Sequence, residues 1–432
     1  MSPVEYLAQR WQALDRTARV TLVALAALVA GGVGLRIWLM VSYGPAFLAF
    51  PDSSQYSLAA VLNIFRDAQR PAGYPFFLRL VHHLSDRVSF TIAVQHLLGM
   101  ATGLLLFDAV RRTRAPAWLG LLPAAIVFFG ATGLILEHSL LADPLFAFLQ
   151  ALAIYAAVRA LYDEHPPRRW ALRWPLLAGL AVGLGFWVKT VAGTSAILIP
   201  LVLLCAIPGD TRRKVLSALS TFGVAVSLML VYVLAQLLFT GYLGYERQSS
   251  WELYGRVATF VDCSKFTPPS GTSFLCPREP VGHRSSQAFF QYAPTAPAVQ
   301  RFGQPYTAPA QANGVLKEFS VAAIEHEPIA YAGAIMSGLG RYLFPRDGEG
   351  NTPQAVREEV MEPTRTQANQ EAFSLLYPDS LGYVGSSTEA HPLAVYESFT
   401  DVQGPLLIIL HKQDGIVFQK FNADPSWGDA AT

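Results

Sequence analysis

Seven apolar segments in the first 240 residues constrain this chain more than any other feature. A helix that crosses a bilayer needs about 20 mostly apolar residues, and each segment approaches that length between charged, proline or glycine boundaries. The predicted spans are Val20 to Val41, Phe90 to Val110, Trp118 to Leu136, Pro144 to Leu161, Trp174 to Val188, Val191 to Ile207 and Val215 to Phe239. The sequence therefore predicts an all-α polytopic membrane protein of about seven transmembrane helices.

The charges of the connecting loops indicate how these spans are threaded. With a cytoplasmic N-terminus, every inner loop is basic, whereas the outer connections Glu137 to Asp143 and Lys189 to Thr190 hold one cation between them. The positive-inside rule therefore favours two separate spans around an outward turn at Lys189. The inner-loop cations are Arg10, Arg16, Arg19, Arg111, Arg112, Arg114, Arg168, Arg169, Arg173, Arg212, Arg213 and Lys214. The first apolar run is longer than the apolar core of a signal peptide, so we expect it to be retained.

Composition excludes several classes of protein. Charged residues make up 15% of the chain, against roughly 25% in soluble globular proteins, and the mean hydropathy is +0.32. A net charge of +1 leaves no basic field that could bind a polyanion, so nucleic acid is not an expected partner. The motifs of zinc proteases, serine hydrolases and P-loop enzymes do not occur in the sequence.

The organisation changes after the seventh apolar segment. Residues 1–240 form the predicted transmembrane module, and residues 241–398 form a mixed extracytoplasmic region rich in Pro, Gly, Ser, Gln and aromatic residues. Its best helix candidate runs from Phe319 to Leu343, kinked or divided at Pro328. Residues 399–432 hold a marginal final hydrophobic segment, Gly404 to Leu410, and a polar tail.

The first outer connection, Ser42 to Ser89, is too polar to span the bilayer. Apolar residues recur at near-helical spacing from Tyr56 to Phe65 and again from Phe76 to Leu84. The segment Arg70 to Gly73 separates the two. This pattern predicts two short helices that lie in the membrane interface.

Ionisable residues collect at the predicted outer ends of the spans. Asp52 follows the first span, Asp143 opens the fourth and Lys189 lies at the turn between the fifth and sixth, with Arg36 and Arg70 as further cations. Such groups are costly at membrane depth, so each is a functional-site candidate. A carboxylate can deprotonate an acceptor hydroxyl, and cations can offset charge on a departing phosphate. The set therefore suits transfer of a group from a lipid phosphate donor.

Structural roles are open alternatives for the same residues. Asp143 followed by Pro144 is a good helix start, with a capping residue before a proline. Lys189 can extend to the interface, and Arg36 can pair with a carbonyl or a carboxylate inside the bundle. Asp52 can be a turn aspartate.

Three successive motifs resemble those of the C-type integral-membrane glycosyltransferases. They are Asp52-Ser53-Ser54-Gln55-Tyr56, Arg70-Pro71-Ala72-Gly73-Tyr74-Pro75, and Glu137-His138-Ser139-Leu140-Leu141-Ala142-Asp143-Pro144. The branch that they resemble includes the protein O-mannosyltransferases and the aminoarabinose transferase of lipid A. The likeness covers about the first 240 residues and rests on the order and predicted topology of the motifs as well as on their letters.

This resemblance implies roles for individual residues. Asp52 corresponds to the catalytic aspartate of the first outer loop, and Asp143 to the acidic residue that helps to build the site. Lys189 corresponds to the cation that handles the donor phosphate. Candidate substrate-binding residues are Lys189, Tyr56, Arg70, Tyr74 and Arg36.

A bound divalent cation is a further, weaker hypothesis. Many relatives carry a paired acid in the first loop, whereas Ser53 follows Asp52 here. Glu137 and His138 could bind a cation together with Asp143, because carboxylate and imidazole groups suit first-row metals. The competing interpretation treats Glu137 and His138 as ordinary interfacial residues. No other cofactor is expected.

Two function classes follow from these observations. The resemblance implies an inverting hexosyl or pentosyl transferase of the cell membrane, with its active site facing outside. Its partners would be a polyprenyl-phosphate sugar, membrane lipid, and a glycan, lipid or protein acceptor. The alternative is a non-catalytic transporter or lipid-flipping protein, whose ionisable groups would lie near the bilayer midplane. The charges at the outer rim favour the enzyme.

Two of the three cysteines are predicted to form a disulfide. Cys263 and Cys276 both lie in the predicted extracytoplasmic region, and Pro268, Pro269 and Gly271 between them favour a turn. Cys205 lies within the sixth predicted span. Unpaired thiols on a flexible loop are the alternative.

Overall fold

A computed structural model describes residues 11–42, 51–61, 63–65, 70–85, 87–162, 172–246, 248–305, 308–343, 392–394 and 418–420, together with residues 5, 9 and 46. The chain divides into two compact units after Gly241. The first unit holds the described residues up to Gly241 without Arg70, here called the membrane unit, and also the described residues 392–394 and 418–420. The second unit holds Arg70 and the described residues from Tyr242 to Leu343. The predicted division into residues 1–240, 241–398 and 399–432 stays a prediction.

The membrane unit consists of α-helices and one 3-10 turn, Ala117–Gly120, in its described residues. The helices are α1 (Arg16–Ser42), α2 (Pro51–Val61), α3 (Gly73–His82), α4 (Val88–Arg111), α5 (Leu121–Phe129), α6 (Ala131–Glu137), α7 (Asp143–Tyr162), α8 (Arg173–Val188), α9 (Ala192–Ala206) and α10 (Thr211–Thr240).

These helices account for the seven apolar segments in three ways. By length and composition, α1, α4, α7 and α10 can each cross a membrane. The third predicted span is a pair of helices bent by 53° around Gly130, whose extended ψ of 118° ends α5. With 16 and 15 residues, α8 and α9 are shorter than the roughly 20 residues of a full span. The all-α polytopic architecture is confirmed, and the count of seven spans stays a prediction.

Two helices occupy the connection between the first two predicted spans. The first, α2, begins at Pro51 rather than at Tyr56 and ends at Val61. Proline suits the first turn of a helix, and the carboxylate of Asp52 is favourable near the positive end of the helix dipole. The second, α3, runs from Gly73 to His82 and includes most of the predicted segment.

Small residues allow α8 to pack closely against α10. A side chain at Gly179 would place its Cβ 2.5 Å from the carbonyl oxygen of Thr221, and one at Gly183 would place it 2.7 Å from Cβ of Leu228. Thr221 also donates a hydrogen bond of 2.9 Å to the carbonyl oxygen of Pro175. Close approach of backbones is how membrane helices gain packing energy without a hydrophobic driving force.

The second unit has a core of its own. Its helices are α11 (Ser249–Ala258), α12 (Gln287–Tyr292), α13 (Pro297–Phe302), α14 (Gln311–His326) and α15 (Pro328–Leu343). Trp251, Tyr254 and Phe319 are fully buried in it. Burial raises the pKa of the Tyr254 phenol, whose hydroxyl donates to the carbonyl oxygen of Leu275.

Two features of this region match the sequence predictions. Cys263 and Cys276 form the predicted disulfide. The predicted long helix is divided at Pro328, which begins α15 because its ring cannot continue α14. Further along the chain, strands β1 (Pro392–Ala394) and β2 (Phe418–Lys420) pair antiparallel, with Leu393 opposite Gln419. The segment Gly404 to Leu410 lies outside the described residues.

Candidate functional site

Three motif segments meet in one cluster of buried side chains in the membrane unit. Tyr56 of α2, Tyr74 of α3 and Leu140 to Ala142 before α7 pack together with Val188 at the end of α8. The rings of Tyr56 and Tyr74 make an edge-on contact with centroids 4.8 Å apart. The cluster therefore joins elements that are far apart in the sequence and leads directly to Asp143 and Lys189.

Gly73 makes the approach of α3 to α8 possible. A Cβ at this position would lie 2.4 Å from the carbonyl oxygen of Trp187 and 2.8 Å from the amide nitrogen of Val188. Both distances are far below a normal contact, and the obstructing atoms belong to the backbone. Glycine is therefore required where the Gly73-Tyr74-Pro75 motif lies against the residues before Lys189.

Asp143 and Lys189 form an ion pair at the helix ends. Asp143 is the first residue of α7, and Lys189 follows the last residue of α8 with extended backbone angles. Lys189 Nζ donates to Asp143 Oδ1 over 2.7 Å, and the two side chains keep 35% and 34% of their surface exposed. The structure thus joins these two predicted site residues and leaves the pair partly open.

Asp52 lies in the first turn of α2 and is partly buried. It is four residues before Tyr56, so the two side chains share a face of the helix. Tyr56 in turn packs on Tyr74, which places the start of α2 beside the same cluster of motif residues. Arg70 belongs to the second unit.

Arg36 lies in a buried cluster with Glu137 rather than with Lys189. Its guanidinium donates two hydrogen bonds of 2.8 Å to the Glu137 carboxylate, and the others reach the carbonyl oxygens of Gly32, Val127 and Phe128. These contacts occupy all the N–H groups that an arginine side chain offers. The arrangement favours the structural alternative for Arg36 over substrate binding.

The side chains of Glu137 and His138 are buried inside the protein. Glu137 Oε2 is 2.9 Å from Nδ1 of His96, and Nε2 of His96 is 3.1 Å from Nδ1 of His138. Gly99 leaves the space for the carboxylate, because a Cβ there would lie 1.9 Å from Glu137 Oε1. This burial favours a structural role for Glu137 and His138 over an exposed position at the membrane interface. Among the described residues, no group of three or more His, Cys, Asp or Glu side chains is arranged to hold a metal ion.

Gln95 is a polar residue of the site region that the sequence analysis missed. Its amide nitrogen donates to the carbonyl oxygens of Glu137 and Ser139 over 2.9 and 2.7 Å, and its amide oxygen accepts from the Tyr74 hydroxyl. The available signal was the pair Gln95-His96 inside an apolar span, since buried polar residues at membrane depth need partners.

Most of the membrane unit is similar to a known protein family. Residues 69–237 match the family model described as dolichyl-phosphate-mannose-protein mannosyltransferase, which belongs to the C-type polyprenyl-phosphate-sugar glycosyltransferases. The resemblance is confirmed. The match covers less than half of the chain. A search of curated proteins gave no match.

The glycosyltransferase match divides the candidate residues into two groups. It includes Arg70, Tyr74, Glu137, His138, Asp143 and Lys189, and it begins after Arg36, Asp52 and Tyr56. Together with the long apolar helices, it indicates an integral membrane protein that is similar over these residues to a mannosyltransferase-type family. Such a family implies a polyprenyl-phosphate sugar as donor and a glycan or protein as acceptor.

Proposed function

We propose that this protein transfers a sugar from a polyprenyl-phosphate donor to a hydroxyl acceptor at the extracytoplasmic face of the cell membrane. The observation that carries the proposal is the partly exposed Asp143–Lys189 pair, which lies within the segment that matches the family. A cation that remains open to solvent can bind the phosphate of an incoming donor through charge-assisted hydrogen bonds. The basic inner loops support the outward placement of this end of the helices.

Asp52 is the proposed general base. Its carboxylate takes the proton of the acceptor hydroxyl while the acceptor oxygen forms a bond to the anomeric carbon. The bond between that carbon and the phosphate oxygen breaks, and polyprenyl phosphate leaves with the bonding electrons. A single in-line displacement of this kind inverts the anomeric configuration.

Lys189 is the proposed phosphate ligand. Its ammonium offsets the charge that develops on the departing phosphate, and Asp143 orients the ammonium from the start of α7. Transfer of either a hexosyl or a pentosyl group from the donor fits this arrangement. Tyr56, Tyr74 and Arg36 are buried in the contacts described above, which favours structural roles for these three residues over direct contact with a substrate. Arg70 stays a candidate substrate-binding residue because of its place in the sequence motif.

The experiment is a transfer assay with the purified protein in lipid nanodiscs and a panel of radiolabelled polyprenyl-phosphate sugars. Asp52→Asn keeps the shape of the side chain but removes its basicity, so turnover should fall roughly 10²-fold or more. The matched control is Asp15→Asn, because Asp15 caps the start of α1 and asparagine caps a helix equally well.

The outcomes separate the function classes. Loss of turnover in Asp52→Asn with normal turnover in Asp15→Asn supports the mechanism. Near-normal turnover in Asp52→Asn removes Asp52 from it. If reconstituted wild-type protein moves the lipid across vesicles and transfers no sugar from any donor of the panel, the protein is a carrier and the proposal fails.

A further inference from the structure

The segment between α6 and α7 leads to Asp143, and its hydrogen bonds run both to the end of α6 and to α4. Residues 138–142 belong to no helix; the backbone N–H groups of His138 and Ser139 donate to carbonyl oxygens of α6, and other backbone groups of the segment need partners outside a helix. The carbonyl oxygens of Glu137 and Ser139 both accept from the side-chain amide of Gln95 in α4. One side chain thus fixes two points of the segment that leads to Asp143.

The same side chain is connected to the other half of the ion pair. The Gln95 amide oxygen accepts a hydrogen bond from the Tyr74 hydroxyl, and both residues are fully buried. Tyr74 follows Gly73, whose backbone lies against Trp187 and Val188 immediately before Lys189. A continuous set of contacts therefore runs from Asp143 through Gln95 to Lys189.

The buried cluster around Arg36 holds the same segment from its other side. Glu137 ends α6, and its carboxylate is held by Arg36 of α1 and by His96, the residue next to Gln95. A buried ion pair contributes little net stability compared with apolar packing, so its stability contribution alone does not explain this cluster. What the cluster does provide is a fixed direction for the chain that leaves α6.

We propose that Gln95 is a positioning residue, which sets the geometry of the Asp143–Lys189 pair by holding the Glu137–Ser139 backbone against Tyr74. Gln95 contacts neither member of the pair directly in the contacts described, and its amide is buried away from any substrate. The kinetic part of this inference rests on the proposed function, whereas the geometric part does not.

The kinetic test uses Gln95→Met, which keeps the length of the side chain and removes all three hydrogen bonds. A displaced catalytic group can cost roughly 10- to 100-fold in rate, so kcat should fall by that factor. Tyr74→Phe removes only the hydroxyl that orients the amide, so a smaller fall in kcat is expected. The matched control is Gln236→Met, because Gln236 is a similarly buried glutamine of α10 whose side-chain oxygen accepts no hydrogen bond from the described part of the chain.

A second measurement reads the geometry without activity. Amine acylation of Lys189, followed by peptide mass spectrometry, reports whether Asp143 still holds the ammonium. Acylation should be several-fold faster in Gln95→Met than in wild type, and it should be unchanged in Gln236→Met. Asp143→Asn gives the upper limit of the rate.

Each outcome bears on one proposal. Faster acylation in Gln95→Met supports the positioning role even if no donor in the panel is used, in which case only the proposed function fails. Wild-type acylation in a folded Gln95→Met protein, or a fall in kcat as large in Gln236→Met, overturns the positioning role. If Gln95→Met does not fold, the same two measurements are made on Tyr74→Phe. An acylation rate of Lys189 and a kcat that both equal the wild-type values would then overturn the positioning role.

Discussion

Arg36–Glu137 and Asp143–Lys189 are two carboxylate–cation pairs of the same unit in opposite surroundings. The side chains of the first pair keep 4% and 5% of their surface exposed, whereas those of the second keep 35% and 34%. The buried cation has an acceptor for every N–H group, and the open one is held by a single carboxylate oxygen in the contacts described. The Arg36 side chain has no N–H group left for a ligand, so this pair can only stabilise the structure. The partly exposed ammonium of Lys189 can still donate hydrogen bonds to a ligand.

The comparison also explains why the two cations differ in type. The planar guanidinium of Arg36 fits a carboxylate with two parallel hydrogen bonds and several carbonyl oxygens at once. The ammonium of Lys189 is a compact charge on a flexible stem, which can turn from Asp143 towards an incoming phosphate. Each residue type suits its surroundings.

The largest effect is expected from breaking the buried pair. Glu137→Leu leaves the Arg36 charge buried without its carboxylate, which should destabilise the protein by about 3–5 kcal/mol. Thermal unfolding in detergent should show the loss. The double variant Arg36→Met with Glu137→Met removes both charges and should recover most of the stability. A Glu137→Leu protein as stable as wild type would show that Arg36 is not held by this pair.

A smaller effect is expected at the close contact beside the open pair. Gly73→Ala pushes a methyl group into the backbone of Trp187 and Val188, which should cost about 1–3 kcal/mol and displace Lys189. Thermal unfolding and Lys189 acylation measure the two consequences. Gly34→Ala is the control, because a Cβ there meets nothing within 4 Å. Equal unfolding temperatures and equal acylation rates in Gly73→Ala and Gly34→Ala would contradict the close contact between Gly73 and the end of α8.

The smallest effect on stability is expected from breaking the open pair itself. A partly exposed ion pair contributes about 0.2–1 kcal/mol to stability, so the unfolding temperature of Lys189→Gln should be close to that of the wild type. Donor binding should nevertheless weaken by roughly 10- to 100-fold, the value of a charge-assisted hydrogen bond, and less in Lys189→Arg. Direct binding of the lipid phosphate tests this. Equal affinity in wild type and Lys189→Gln would leave Lys189 as an interfacial residue.

The sequence by itself determined the features that depend on local chemistry. Apolar length predicts the membrane helices, the break at Lys189 separates α8 from α9, and proline at position 328 divides the last two helices. Turn residues between Cys263 and Cys276 predict their pairing. Each of these follows from residues within one segment of the chain, because hydropathy and backbone preference act locally along the sequence.

The tertiary structure alone decided which distant residues meet. Arg36 and Glu137 are separated by 101 positions, and Gln95 reaches residues 42 and 44 positions away. Hydropathy identifies such polar residues because they interrupt apolar spans. It does not predict which residue they contact, because a helix can present a polar side chain to any neighbouring helix. The bend at Gly130 and the contact of Gly73 with Val188 likewise depend on how the helices pack. Packing thus decided that Arg36 is saturated and that Lys189 is open.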